Sequence, residues 1–171
     1  ASGSEALVTA LDGARLVAVL TQAQDPGNAG AIIRAADAAG ADAVVLVRGS
    51  VDPTAPKVVR STAGSLFHLP VVTGVALDDA VTALHNAGLT VLAADGRGDF
   101  DLFEAESLLE APSAWLLGNE AHGLPPEALS RADAVVSIPI YGKAESLNVA
   151  AAAAVCLYAS ARAQAQNSGR S

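Results

Sequence analysis

Cysteine, methionine and aromatic residues are scarce in this sequence. Its 171 residues include one cysteine, no methionine, one tryptophan, two tyrosines and three phenylalanines. A single cysteine cannot form an internal disulfide. Because Cys156 falls within an apolar helical stretch, we expect a buried, unreactive thiol and a reducing, cytoplasmic setting. So few aromatic side chains argue against a base-stacking platform of the kind that binds single-stranded nucleic acid.

Long apolar runs and an excess of positive charge are also lacking. Although 51% of the residues are hydrophobic, no apolar run reaches the roughly 18 residues of a membrane span. No charged segment followed by an apolar one opens the chain, as it would in a signal peptide. We therefore expect no membrane partner. The formal net charge of −8 disfavours broad, phosphate-driven binding of nucleic acid by these residues alone.

Several motifs that would point to a particular chemistry are absent. No Gly-x-Gly-x-x-Gly follows a strand, no Walker sequence occurs, and no Gly-x-Ser-x-Gly elbow is present. The three histidines are scattered, and no Cys/His spacing matches a metal site, so we expect no metal. His122 lies close to Glu120 in the sequence, but metal binding or catalysis needs a third partner, so a loop histidine with one carboxylate is more often structural or solvent-facing.

What the sequence does contain is an alternation of short apolar runs and helical segments. The runs are continuous, as in strands buried on both faces of a parallel sheet. The predicted strands are 16–20, 43–47, 67–72, 90–94, 114–117 and 134–138, and the predicted helices are 28–39, 57–63, 77–86, 125–131 and 147–166. This alternation predicts an α/β fold with a mainly parallel sheet flanked by helices. We assign 15–166 to one domain, 1–14 to an N-terminal extension or linker remnant, and 167–171 to a disordered tail.

Four polar clusters follow predicted strands, at the edge where open α/β sheets bind ligands. They are 25–30 with Arg34, 94–96, 118–123 and 141–148, and they place five candidates at loop-to-helix junctions: Asn28, Arg34, Glu120, Ser146 and Asn148. Each cluster alone has a plainer explanation. Loop 138–148 could be a simple strand-turn-helix connection with Ser146 as N-cap, Arg34 a surface charge, and Glu120 a cap or a solvated carboxylate.

Taken in order, three of these stretches form a recognisable set. They read Asn28-x-Gly30 with Arg34; then Leu117-Gly118-Asn119-Glu120-x-His122-Gly123-Leu124; then Ile138-Pro139-Ile140 with Ser146-Leu147-Asn148-Val149. The combination, spread over 16–161, closely resembles the motifs of the SpoU/TrmH-type RNA 2′-O-ribose methyltransferases of the SPOUT superfamily.

The resemblance implies a C-terminal trefoil knot, which composition and periodicity do not predict. It also implies S-adenosylmethionine as methyl donor, a ribose 2′-hydroxyl of ribosomal or transfer RNA as acceptor, and a homodimer. An attached N-terminal RNA-binding domain, absent from these residues, is expected as well. By matching position, the cofactor residues would be Ala94, Leu117, Gly118, Asn119, Ile138, Ile140 and Leu147, and the catalytic and ribose-binding residues Asn28, Arg34, Glu120, Ser146 and Asn148.

The resemblance assigns the activation of the 2′-hydroxyl to Arg34. Because arginine is effectively never deprotonated, we expect Arg34 to position or stabilise charge instead of acting as a base. Glu120 would fix Arg34 by a charge-assisted bond, while Asn28 and Asn148 would orient the ribose or each other. The alternative is a non-catalytic RNA-binding or dimerisation module that kept the fold, although the presence of Arg34 and the Ser-Leu-Asn set favours an enzyme.

Overall fold

Seven strands and six α-helices alternate along the residues that the computed structural model describes, which are 3–50, 52–55, 64, 68–119 and 122–168. The helices are α1 (Gly3–Leu11), α2 (Pro26–Ala38), α3 (Leu77–Asn86), α4 (Glu106–Leu109), α5 (Pro126–Arg131) and α6 (Val149–Ser168). The strands are β1 (Leu16–Leu20), β2 (Ala43–Val47), β3 (Val71–Val75), β4 (Thr90–Ala94), β5 (Phe100–Asp101), β6 (Ser113–Leu117) and β7 (Ala134–Ser137). A 3₁₀ turn spans Leu102–Glu104.

The strands form one sheet in the order β3-β2-β1-β6-β4-β7-β5, and each neighbouring pair is parallel. β6 lies in the middle, between β1 and β4. Every residue of β1, β2 and β6 is buried, as expected for strands covered on both faces. The prediction of an α/β fold with a mainly parallel sheet is therefore confirmed, whereas the knot stays a prediction.

Two hydrophobic layers sandwich this sheet, because successive side chains of a strand point to opposite faces. In β1, Ala18 joins the layer that contains Ile33 of α2 and Leu157 of α6. Val19 joins the other layer, which contains Leu11 of α1 and Leu84 of α3. The contact between α2 and α6 on the first face is extensive, and it brings the starts of these two helices together.

The layer under α6 contains the protein's one tryptophan and one cysteine. Trp115 is fully buried on β6, and its indole Nε1–H donates to Ser160 Oγ of α6 over 2.8 Å. Cys156 is also buried, and this burial raises the pKa of its thiol to about 12. The prediction of a buried, unreactive cysteine is confirmed.

Element boundaries near the N-terminus differ from those predicted. A helix that was not predicted, α1, occupies Gly3–Leu11 and buries Leu7 and Leu11. The assignment of 1–14 to an extension or linker remnant stays a prediction. α2 begins two residues before the predicted start, since Asp25 accepts from the backbone N–H groups of Gly27 (2.8 Å) and Asn28 (3.2 Å) as its N-cap.

Further along, β3 is Val71–Val75, not 67–72, and β5 with the turn and helix after it was not predicted. The predicted helix 57–63 lies outside the described residues. α6 begins at Val149 because Asn148 is its N-cap: Asn148 Oδ1 accepts from Ala150 N (2.8 Å) and Ala151 N (3.3 Å). Ser146 was therefore wrongly predicted as the cap. α6 also extends to Ser168, so only the remainder of the predicted tail, 169–171, lies beyond the described part of the chain.

α6 is the longest helix, with 20 residues, or about 30 Å at 1.5 Å per residue. Even so, no helix among the described residues is both long and apolar enough to span a membrane.

The Trp115–Ser160 bond makes a stability prediction. Ser160→Ala leaves a buried indole N–H without its acceptor, which should lower the free energy of unfolding by about 1–3 kcal/mol. Ser107→Ala, at an exposed position on α4, is the matched control and should change it by less than about 0.5 kcal/mol. Urea unfolding at one fixed protein concentration measures both, and equal shifts in the two variants would contradict the assignment.

Candidate active site

A cavity of about 290 Å³ opens at the carboxyl ends of β4, β6 and β7, the edge where open parallel sheets bind ligands. Three loops form its wall: the turn after β4, the loop after β6, and the long loop between β7 and α6. The lining residues are Ala94, Asp95, Gly96, Gly118, Asn119, Gly123, Ile138, Ile140, Glu145, Ser146, Leu147, Val149 and Ala152. Three glycines among them put bare backbone at the wall, beside aliphatic side chains.

Gly118 follows the last residue of β6, and its lack of a side chain allows its backbone to contact the backbone of Gly123 and Leu124 directly. A Cβ placed on Gly118 would collide with the carbonyl carbon of Gly123 and lie 2.7 Å from Leu124 N, closer than real Cβ atoms come to a neighbour. Gly123 has φ +69°, a left-handed conformation that glycine adopts without strain. The loop after β6 thus depends on glycine at both of its contact points.

Asn119 closes this loop with both its backbone and its side chain. Its N–H donates to Gly123 O (3.0 Å), and its carbonyl accepts from Gly123 N (2.9 Å). Its Nδ2 donates to Gln22 O (3.0 Å), and its Oδ1 accepts from His122 N (3.1 Å). Gln22 has φ +69°, which is rare and strained for a residue with a side chain. Asn119 therefore lines the cavity as the residue that ties the loop after β6 to the turn after β1.

Asp95 and Arg97 connect the turn after β4 to the same loop. Arg97 Nε and Nη2 donate to the two carboxylate oxygens of Asp95, each over 2.7 Å, and Nη2 also lies 3.4 Å from Leu124 O. The Asp95 side chain is only 8% exposed. The hydrogen bonds from Arg97 hold the pKa of its carboxyl below the usual value. Asp95 thus remains ionised at neutral pH, with its charge balanced by the guanidinium.

Asn28 and Asn148 come together although 120 residues separate them. Asn148 uses its Oδ1 to cap α6, so its Nδ2 is the group that faces Asn28, and it donates to Asn28 Oδ1 over 3.3 Å. This fixes the amide orientation of both side chains. Asn28 Nδ2 makes no hydrogen bond within the described residues, and it stays available to an acceptor oxygen.

The structure gathers most of the predicted cofactor positions. Ala94, Gly118, Asn119, Ile138, Ile140 and Leu147 all line the cavity, and so does Ser146 of the predicted catalytic set. Leu117 is buried at the end of β6 and does not line it.

Three other predicted catalytic residues, Asn28, Arg34 and Asn148, are not among the lining residues. Arg34 is exposed on α2, is not among the lining residues, and makes no ion pair with a described residue. An offset of six residues from Asn28 turns it about 120° away around the helix. Glu120, expected to hold Arg34, lies outside the described residues.

Sequence reasoning did not select six of the lining residues as site residues. They are Asp95, Gly96, Gly123, Glu145, Val149 and Ala152. The turn sequence Asp-Gly-Arg-Gly after a buried strand marked the first two as a polar cluster, but nothing local showed that Arg97 folds back onto Asp95. Glu145 is one residue before the Ser-Leu-Asn set, and its charge alone does not distinguish it from a solvated loop residue.

Comparison with known proteins decides the family. Residues 15–158 match the sequence profile of the SpoU rRNA Methylase family. This chain belongs to the SpoU rRNA methylase family. One SpoU relative, the 23S rRNA (guanosine(2553)-2′-O)-methyltransferase RlmP of Bacillus subtilis (strain 168), is 42% identical over 148 residues, covering 85% of this chain and 57% of the relative. The 23S rRNA (uridine(2479)-2′-O)-methyltransferase of Streptomyces viridochromogenes is 41% identical over 142 residues, covering 80% and 49%. The chain thus spans about half the length of these SpoU relatives.

Solved SpoU structures share the fold. The SpoU methyltransferase AviRb from Streptomyces viridochromogenes, in complex with the cofactor AdoMet, superposes with a TM-score of 0.80 at 37% identity, over 88% of this chain and 60% of that one. An AdoMet-bound rRNA methyltransferase from Sinorhizobium meliloti gives 0.79 at 37% identity, over 86% and 56%.

The close backbone contact at Gly118 predicts that an added methyl group lowers stability at this position but not at Gly96. Gly118→Ala should lower the free energy of unfolding by about 1–3 kcal/mol, because a methyl group has to push Gly123 and Leu124 aside. Gly96→Ala is the matched control, since a Cβ at Gly96 meets nothing within 4 Å. Chemical denaturation measures both. The first obstacle to a side chain at 118 is the protein's own backbone. Equal stability of the two variants would show that the loop relaxes freely.

Proposed function

We propose that this chain is the catalytic domain of an RNA methyltransferase that transfers a methyl group from S-adenosylmethionine to a ribose 2′-hydroxyl of ribosomal or transfer RNA. The observation that supports this most is the occurrence together of a partly glycine-walled cavity and the Asn28–Asn148 hydrogen bond, in which Asn148 follows the lining residue Leu147 and precedes the lining residue Val149. Relatives named as rRNA 2′-O-methyltransferases support the reaction class.

The cavity fits S-adenosylmethionine in chemistry and in size class. About 290 Å³ is near the lower end of small-molecule pockets, and the cleft is open to solvent. Ile138, Ile140 and Leu147 offer aliphatic surface to an adenine ring. The glycine backbone can approach polar edges closely. The bound cofactor would supply a methyl group already activated by a sulfonium.

The polar side chains near the cavity have to hold the acceptor ribose. Asn148 fixes Asn28 through its Nδ2, and Asn28 Nδ2 would then donate to a ribose oxygen. The bound cofactor would supply the methyl group to the attacking 2′-oxygen and keep the electron pair of its carbon–sulfur bond, and the hydroxyl proton would leave to solvent. Arg34 would stabilise the oxygen as it gains negative charge, or hold the neighbouring phosphate.

Arg34 provides the test of this proposal. Arg34→Ala should leave the affinity for S-adenosylmethionine within about twofold and lower turnover by about 10²-fold or more, the usual scale for one lost electrostatic stabiliser. Arg34→Lys should restore activity only in part, because a point charge cannot make a forked contact. Arg15→Ala, an exposed arginine next to β1 at the opposite edge of the sheet, is the control and should be neutral.

The assay is single-turnover methyl transfer at saturating cofactor with the whole protein, paired with calorimetry of cofactor binding. Wild-type rates in Arg34→Ala would remove it from the catalytic set. Cofactor binding by the wild type without transfer to any RNA would favour the alternative, a non-catalytic RNA-binding or dimerisation module.

We further propose a homodimer in which Arg34 serves the partner's cavity. Arg34 is exposed and absent from the wall of its own cavity, so a second copy offers a route to the site. α6 carries a surface that is suited to dimerisation. Tyr158 of α6 is 52% exposed and Phe103 is 58% exposed, and both line a groove of about 820 Å³.

Dimerisation has its own prediction. Light scattering at micromolar concentration should give a dimer for the wild type, whereas Tyr158→Lys should shift the mass toward the monomer by placing an unpaired charge in the interface. Val8→Lys, at a 66% exposed position on the other face of the sheet, should leave the dimer intact.

Mixed dimers test whether Arg34 acts on the partner's cavity. Neither Arg34→Ala nor Leu147→Trp, which blocks the cavity, should be active alone, but mixing the two variants should restore activity if Arg34 acts across the dimer. A monomeric wild type would contradict the proposal.

We propose that RNA binding depends on a basic region attached to these residues. We also propose that the protein acts in the cytoplasm. The net charge of −8 opposes binding to a polyanion, because affinity for RNA normally comes from Lys and Arg at phosphates. The longer chains of the relatives leave room for such a region.

A further inference from the structure

Two carboxylates line the cavity, and they differ in how far their charge is neutralised. Asp95 is held by two 2.7 Å bonds from Arg97, so its charge is cancelled within the wall. Glu145 is exposed and makes no ion pair or hydrogen bond with a described residue. No other acidic or basic residue lines the cavity in the described ranges, so Glu145 gives this wall its net negative charge.

That charge matters because the two forms of the cofactor differ in charge. S-adenosylmethionine has a positive sulfonium in addition to its ammonium and carboxylate groups. After methyl transfer the sulfur is a neutral thioether, and the product has one positive charge fewer. A fixed negative charge near the sulfur therefore attracts the substrate form more strongly than the product form, whereas apolar and backbone contacts treat the two nearly alike.

We propose that Glu145 is a specificity-determining residue that favours S-adenosylmethionine over S-adenosylhomocysteine, and thereby limits product inhibition. This inference rests on the proposed cofactor of the function above. Glu145 sits in the long loop between β7 and α6, one residue before Ser146 and two before Leu147, which both line the cavity. Asp95 cannot perform this role, since Arg97 already takes both of its oxygens.

The size of the effect follows from exposure. A unit charge about 4–6 Å from the sulfonium in a nearly aqueous medium changes affinity by about threefold to tenfold. The preference should also fall as salt rises, because exposed charges are screened over about 8 Å at physiological ionic strength.

Calorimetry with S-adenosylmethionine and S-adenosylhomocysteine tests the proposal in the wild type and three variants. Glu145→Gln keeps the side chain's size. It should lower the affinity for S-adenosylmethionine by about threefold to tenfold and change the affinity for S-adenosylhomocysteine by less than about twofold. Glu145→Lys should lower the affinity for S-adenosylmethionine further than Glu145→Gln does. Asp12→Asn removes one exposed charge before β1, at the opposite edge of the sheet, and should alter neither affinity. The wild-type preference should shrink with added salt, and that of Glu145→Gln should not.

The outcomes separate this inference from the function on which it rests. Retained binding of S-adenosylhomocysteine in Glu145→Gln shows that the loop is intact. Equal loss of both ligands, or no change in either, would overturn the selectivity role while leaving the cofactor assignment in place. If the wild type binds neither ligand, the proposed function itself fails, and this inference fails with it.

Discussion

Direct backbone contact at the end of the central strand is the constraint on which the rest of the site depends. β6 carries the chain into the middle of the sheet edge, and the loop that follows returns so closely that Gly118 has no room for a Cβ beside Gly123 and Leu124. The part of the cavity wall that Gly118 forms is bare backbone for that reason. Asn119 and the Asp95–Arg97 pair then hold the loop from its two sides, through hydrogen bonds to Gln22 O and Leu124 O.

The buried part of the fold could be predicted from sequence, because burial on both faces leaves a continuous apolar run. The predicted bounds of β1, β2 and β4 agree with the structure for this reason. β3 departs from that pattern: it is an edge strand, its pairing with β2 shifts register, and Gly74 within it has φ +75°. α1 was missed because two buried leucines on nine residues make too short a periodic signal.

The candidate site was located from motif resemblance more than from local pattern, and its geometry explains why. The Asn28–Asn148 bond joins positions 120 residues apart, which spacing along the chain cannot reveal. The N-cap of α6 is another feature that the sequence alone does not determine. Ser146 and Asn148 are both good caps, and only the backbone decides between them. By capping the helix with its oxygen, Asn148 must present its nitrogen to Asn28, so one local choice orients a distant side chain.

Charge divides the site into two sides with different partners. The cavity has a net negative wall from Glu145, which suits a cationic cofactor and repels phosphate. Arg34, exposed on α2 and outside that wall, is the cation that a phosphate or a developing alkoxide can approach. In the proposed function, the ribose would therefore enter from the Arg34 side, and the cofactor would lie against the glycine backbone. Glu145 lines the cavity and Arg34 does not. In the proposed dimer, Arg34 of one protomer would approach the cavity of its partner, so that its positive charge would lie near the acidic wall without being part of it.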